Sequence, residues 1–304
     1  MAWYNSALSP PGISSKHRLT RRTGLKLALS ALCARRLRAG EPVTKQLPDL
    51  TLSIPPRLRQ ALTGSQFAES ISNLDHGQRE QAILDQLLEG NLPGLLRKLV
   101  PVRLTIELAR GKKAATIFAM PEYLAIGSDG DFLRIPMSLH TAAAIAKRFR
   151  FILPTKKIVD AIYEQSTHRL TPQPLTPGPQ MTSTEYYQTH NALIESQSKA
   201  RGFPSDALVA GHKKDVVVTN RLRWKPGRIA IYGWHRAPQA PIQPLSTVHG
   251  AGYADYSHGI RLIAGVALIE GALRSVNEIL QDTVLAAILS DEGPISVELA
   301  LATA

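Results

Sequence analysis

The chain has 304 residues, with 36 lysines and arginines against 24 acids and a formal net charge of +12. A charge of that size raises nucleic-acid binding, yet residues 1–39 hold Lys16, Arg18, Arg21, Arg22, Lys26, Arg35, Arg36 and Arg38 and no acid. Removing those eight leaves +4, an ordinary surface charge, and no zinc-finger, RNA-recognition or repeat pattern restores a nucleic-acid role. The one cysteine, Cys33, lies in the same segment, so the remainder has neither a disulfide framework nor a thiol nucleophile.

Along the chain, Arg21 and Arg22 stand just before an apolar run from Leu25 to Ala34. That run is about ten residues, long enough for a signal-peptide core and too short for a membrane span. Thr20-Arg21-Arg22-Thr23-Gly24-Leu25-Lys26 resembles the twin-arginine export signal, with Gly24 where Phe is usual. Cleavage is expected after Ala39, in Leu37-Arg38-Ala39. Bulky Leu32 before Cys33 disfavours a lipobox. The resemblance implies passage through the Tat translocon of a bacterium and a periplasmic or secreted location. After cleavage about 265 residues remain, enough for one large domain or two modest ones. No later stretch is apolar enough to span a membrane, so no stable membrane insertion is expected.

Residues 40–56 read as an irregular lead-in. Gln78 to Leu88 is predicted as an amphipathic helix, with Ile83, Leu84, Leu87 and Leu88 on one face and Asn91-Leu92-Pro93-Gly94 as its stop. Val102 to Leu108 alternates in period two and pairs across Arg110-Gly111-Lys112-Lys113 with Ala114 to Ala119. Tyr123 to Ile126 and Phe132 to Ile135 form a second hairpin about Gly127-Ser128-Asp129-Gly130, a turn and not a calcium loop. Thr141 to Phe149 and Thr155 to Gln165 are helical.

Leu170 to Met181 holds Pro172, Pro174, Pro177 and Pro179 and is extended; it either divides two subdomains or wraps one surface. Glu185 to Ala200 is helical. Strands follow at Val216 to Thr219, at Ile229 to Tyr232 and near Gly259 to Ile263, then a helix over Leu273 to Leu289. The pattern predicts an α+β fold, antiparallel sheet pieces flanked by helices, without a βαβ repeat. The N-terminal part is the more helical and the C-terminal part the richer in strand. The expected organisation is a signal at 1–39, an α+β subdomain at 40–169, a proline-rich linker at 170–181 and a His-rich functional subdomain at 182–304.

Four of the nine histidines lie between positions 212 and 258: His212, His235, His249 and His258. Asp215 and Asp255 accompany them, with Gly211, Gly233, Gly250, Gly252 and Gly259 close by. Glycine beside a polar residue lets the backbone approach a ligand. Such a cluster fits a metal site, since imidazole and carboxylate are zinc ligands, and equally a metal-free acid–base site. Ser257 lacks the Gly-x-Ser-x-Gly elbow of many serine hydrolases.

Thr247-Val248-His249-Gly250-Ala251-Gly252-Tyr253-Ala254-Asp255 resembles the zinc motif of the D-Ala-D-Ala carboxypeptidase and murein endopeptidase metallopeptidases, with one residue fewer before the Asp. The resemblance implies zinc held by His249, Asp255 and either His235 or His258. His249-Gly250 followed by Ser257-His258-Gly259-Ile260-Arg261-Leu262 is also similar to the L,D-transpeptidase signature, without its cysteine. Both imply peptidoglycan as the substrate.

The expectation is therefore an exported hydrolase acting on a cell-envelope polymer. His212, Asp215 and His258 are its acid–base residues, and His249, Asp255 and His235 its zinc ligands. Trp234, Tyr253, Tyr256, Asn220 and Arg261 are its substrate contacts, although Trp234 also reads as core and Asn220 as a turn residue. The alternative is a non-catalytic envelope-binding or assembly protein in which the Gly/His/Tyr segment is a recognition loop.

Overall fold

A computed structural model describes residues 52–302, except 109–110 and 203–206. The expected export signal and its cleavage site lie outside the described residues.

Helices α1 (Gly64–Ser70) and α2 (His76–Leu88) both begin with capping boxes, Thr63 with Gln66 and Asp75 with Gln78. Strands β1 (Val100–Leu108) and β2 (Gly111–Ala119) form the first predicted hairpin. Val102 faces Ile117 and Leu104 faces Ala115, all buried, while Arg103 and Thr105 point to solvent, as period-two alternation requires. Strands β3 (Ala125–Ser128) and β4 (Asp131–Arg134) form the second hairpin. Helix α3 (Leu139–Phe149), strand β5 (Phe151–Ile152) and helix α4 (Lys156–Gln165) follow, with Ser138 and Thr155 as the two N-caps.

Beyond β6 (His168–Arg169), the proline-rich segment wraps a surface. The Leu175 amide donates to the Tyr256 hydroxyl at 2.8 Å, and the Met181 carbonyl accepts from the Tyr256 amide at 2.9 Å. Helix α5 (Thr184–Arg201) runs from the Ser183 cap to Gly202, whose φ of 63° ends it in the left-handed conformation. The remaining strands are β7 (Val209–Ala210), β8 (Lys214–Val216), β9 (Ile231–Ala237), β10 (Ala240–Ser246), β11 (His258–Gly259), β12 (Ile263–Ile269) and β13 (Ala272–Ser275). Helices α6 (Val276–Gln281), α7 (Ala286–Leu289) and α8 (Val297–Ala302) close the chain.

Two sheets organise this α+β fold. The first runs β1-β2-β12-β13, with β5 also on β12, and the second runs β10-β9-β8-β11. Strand β12 pairs with both β2 and β5, and one buried core runs from Ile54 to Ala300. The described residues on both sides of 170–181 belong to one compact unit. The helix expected over 273–289 is also corrected. Its first residues form β13, and the Asp282 carboxylate takes the Val284 and Leu285 amides, which breaks the rest into α6 and α7.

Candidate functional site

The second sheet gathers the chemistry. Strands β8 and β11 are parallel, with His258 beside Lys214 and Gly259 beside Asp215. Strand β9 lies on the other side of β8, with Gly233 opposite Lys214 and Tyr232 opposite Asp215. Gly259 is the only residue type that fits there: a Cβ would stand 2.6 Å from Tyr123 Cδ1 and 2.8 Å from Lys213 Cβ. Neighbouring residues on β8 face opposite ways, so Lys214 and Asp215 serve different clusters.

The inner cluster surrounds Asp215 and is buried except at its edge, where Glu195 is partly exposed. Tyr123 donates its hydroxyl to Asp215 Oδ2 at 2.8 Å, and the Arg261 guanidinium stacks 4.3 Å from the Tyr123 ring centre. Glu122 holds His212 Nε2 at 2.8 Å and Arg134 at 2.9 Å, and Arg134 also reaches Glu195 at 2.7 Å. Lys213 donates to the Tyr256 carbonyl. Burial pushes Asp215 up to about 6 against the pull of Arg261 and Tyr123. Burial pushes Lys213 down to about 7, and Arg134 adds to that. Burial would raise Glu122, but Arg134, His212 and Arg261 overcome it and hold the carboxyl ionised. Burial also outweighs Glu122 at His212 and keeps that imidazole neutral.

The outer cluster is carried by the loop between β10 and β11. Asp255 Oδ1 accepts both the Ser257 amide, at 2.8 Å, and the Ser257 hydroxyl. His258 Nε2 lies 3.9 Å from Asp255 Oδ2, too far for a hydrogen bond, and neither His258 ring nitrogen has a hydrogen-bond partner. Over this buried trio lie two partly exposed rings. His249 stacks on Tyr253 at 4.3 Å, and their centres are 6.5 Å and 5.7 Å from that of His258. Burial, reinforced by Lys214, His249 and Lys213, lowers His258 against the attraction of Asp255. At Asp255, His258, the Ser257 hydrogen bonds and Lys214 together overcome burial and favour the carboxylate. The pair is thus biased toward an ionised Asp255 and a less basic His258.

His235 borders the inner cluster, lining a small cavity with Asp215, Tyr123, Lys213 and Arg261, but its hydrogen bond goes elsewhere. Its Nε2 is 3.0 Å from Asp160 Oδ1, its ring stacks on Tyr163 at 4.7 Å, and Tyr232 donates to the same Asp160 oxygen at 2.7 Å. Asp160 and Tyr232 line an open groove of about 990 Å³ that also takes in Lys156, Arg221 and Asp291.

The structure therefore splits the predicted residues. It brings together His249, Tyr253, Asp255 and His258. It sends His212, Asp215 and Arg261 to the inner cluster, where Arg261 is fully buried and donates to the Met120 and Val209 carbonyls, with no face left for substrate. Trp234 and Tyr256 are core residues packed around the buried His190 ring, and Asn220 fixes a turn through the Pro294 carbonyl. Of the implied zinc ligands, His249, Asp255 and His258 lie together while His235 is turned to Asp160, and among the described residues no three His, Cys, Asp or Glu side chains are disposed to hold an ion. Sequence reasoning missed Glu122, Tyr123, Arg134 and Asp160, which lie about ninety positions or fewer upstream of their partners without a local motif. Lys213 was legible inside Gly-His-Lys-Lys-Asp, but nothing local announces that it is buried. No protein-family model, curated protein or solved structure matches the chain.

Proposed function

We propose that the protein is an exported bacterial hydrolase of a cell-envelope polymer, working by acid–base chemistry at the outer cluster. The observation that carries this reading is His258: a fully buried imidazole with both nitrogens unpartnered, beside an ionised Asp255, under the partly exposed His249. An imidazole without hydrogen-bond partners is available to take or give a proton. Asp255 fixes the Ser257 amide and hydroxyl and stabilises the positive charge His258 acquires on protonation. His249 and Tyr253 are the groups that meet the polymer. No step is routed through zinc: among the described residues no three His, Cys, Asp or Glu side chains are disposed to hold an ion. The twin-arginine resemblance supports the location and the Tat translocon as the export partner; the two peptidoglycan-enzyme resemblances support the substrate class.

The test is release of soluble fragments from purified peptidoglycan sacculi by the folded protein and by His249→Ala. His249 is partly exposed and makes no side-chain hydrogen bond that buries a charge, so its loss should cost little stability, which the melting temperature of the variant checks. Expected is a loss of turnover in His249→Ala, because His249 is a group that meets the polymer over His258. Unchanged turnover refutes the assignment. One observation favours the second reading, a non-catalytic envelope-binding protein: Asp255, Ser257 and His258 are sealed from solvent. Loss of sacculus binding in His249→Ala, with no hydrolysis by either protein, supports that reading.

A further inference from the structure

The loop from Asn220 to Arg228 presents an unusual surface. Leu222 is buried and anchors it, while Arg221, Arg223, Trp224, Lys225 and Arg228 all point to solvent, and residues 219–230 contain no acid. Trp224 is 80% exposed, and Val248, whose carbonyl is held by Arg228 at 2.7 Å, is 72% exposed. The loop is firmly built. Thr219 caps the turn Asn220–Trp224, Arg221 donates to the Leu245 carbonyl at 2.9 Å, and the Gly227 carbonyl accepts the Ala251 amide at 2.8 Å. Gly227 has φ of 69°, the left-handed turn that reverses the chain here. Arg223 lies 5.7 Å from the centre of the Trp224 ring, so a cation and an indole project together.

From this combination we propose that the 220–228 loop, with Val248, docks the protein peripherally on an anionic lipid surface. Indole rings settle at the boundary between headgroups and acyl chains, and cations beside them are drawn to anionic headgroups. A soluble polyanion would use the four cations but gives no reason for two apolar side chains held out in water. A peripheral contact is consistent with helices none of which, among the described residues, is long and apolar enough to cross a membrane. The Ile229 amide donates to the His249 carbonyl at 3.1 Å, so the docking loop adjoins the outer cluster. The proposal does not depend on that cluster being catalytic.

The test uses the full chain with Trp3→Phe, which leaves Trp224 and the buried Trp234 as emitters. It is mixed with vesicles of phosphatidylcholine, or of phosphatidylcholine with phosphatidylglycerol, made from brominated lipids. Expected is quenching on the phosphatidylglycerol vesicles alone, abolished by Trp224→Phe and weakened by salt. The double variant Arg223→Ala with Lys225→Ala should need at least about fivefold more lipid for half-quenching, the effect of one cation at such a surface. Emission unchanged by phosphatidylglycerol vesicles, equal quenching on pure phosphatidylcholine, or quenching that persists in Trp224→Phe overturns the proposal. So does binding of soluble polyphosphate without any lipid quenching.

Discussion

Lys213 and Asp215 sit two positions apart, and burial moves both toward neutrality. Their effects on stability have opposite slopes. Burial holds Lys213 down at about 7 against its ordinary 10.5, so between these values the unfolded chain holds the extra proton and stability rises with pH. Lys213→Met removes that slope, and its stability relative to the parent should fall steadily as urea midpoints are measured from pH 7 to pH 10. A constant difference would contradict the buried, deprotonating ammonium. Asp215 has a folded pKa of about 6 against 3.8, so the folded chain holds the proton and stability falls as pH rises through that window. Asp215→Asn should gain on the parent between about pH 4 and pH 6. Neither effect is legible in Gly211-His212-Lys213-Lys214-Asp215, where nothing local marks Lys213 or Asp215 as buried. Desolvation is a property of the surrounding fold, and the charges that modify it here, Arg134 at Lys213 and Arg261 at Asp215, are far away in sequence.

Elements decide which polar residues meet. The predicted hairpins and the helices α2 to α5 follow from hydrophobic period, caps and turn residues, all of which are local signals. The parallel contact of β8 with β11 has no local signal, because each strand is only two or three residues long and forms through its neighbours. Gly259 permits that contact. Gly259→Ala would drive a methyl into Tyr123 and Lys213 and should cost about 1–3 kcal/mol or more in thermal or urea unfolding. Helix α4 gives an independent check. Thr155 caps it, accepting the Ile158 amide, and donates its hydroxyl to the Leu289 carbonyl. Thr155→Val removes both bonds in a buried place and should cost about 1–2 kcal/mol. A neutral result would mean that the cap does not hold α4 to the end of α7.

At the scale of the whole chain, two further outcomes follow from the proposed function. Replacing Arg21 and Arg22 with lysine should leave the protein in the cytoplasm on cell fractionation, since the export reading rests on that pair. Periplasmic accumulation of the variant would remove it. Incubation of the purified protein with a chelator should leave its melting temperature unchanged, because among the described residues no three His, Cys, Asp or Glu side chains are disposed to hold an ion. A chelator-induced fall restored by zinc would return the metallopeptidase reading to the front.

The sequence by itself determined the α+β class, the two N-terminal hairpins, most helix positions and the concentration of His, Asp and Gly in the last third of the chain. These depend on periodicity, capping and composition, which are carried by residues near one another. Only the tertiary structure decided that the five predicted acid–base and metal-binding residues besides His258 divide among three places. His249 and Asp255 stay with His258, His212 and Asp215 face Glu122 and Tyr123, and His235 faces Asp160. The physical reason is that alternation along a strand sends neighbours to opposite faces, while buried charges take whichever partner the fold brings to them.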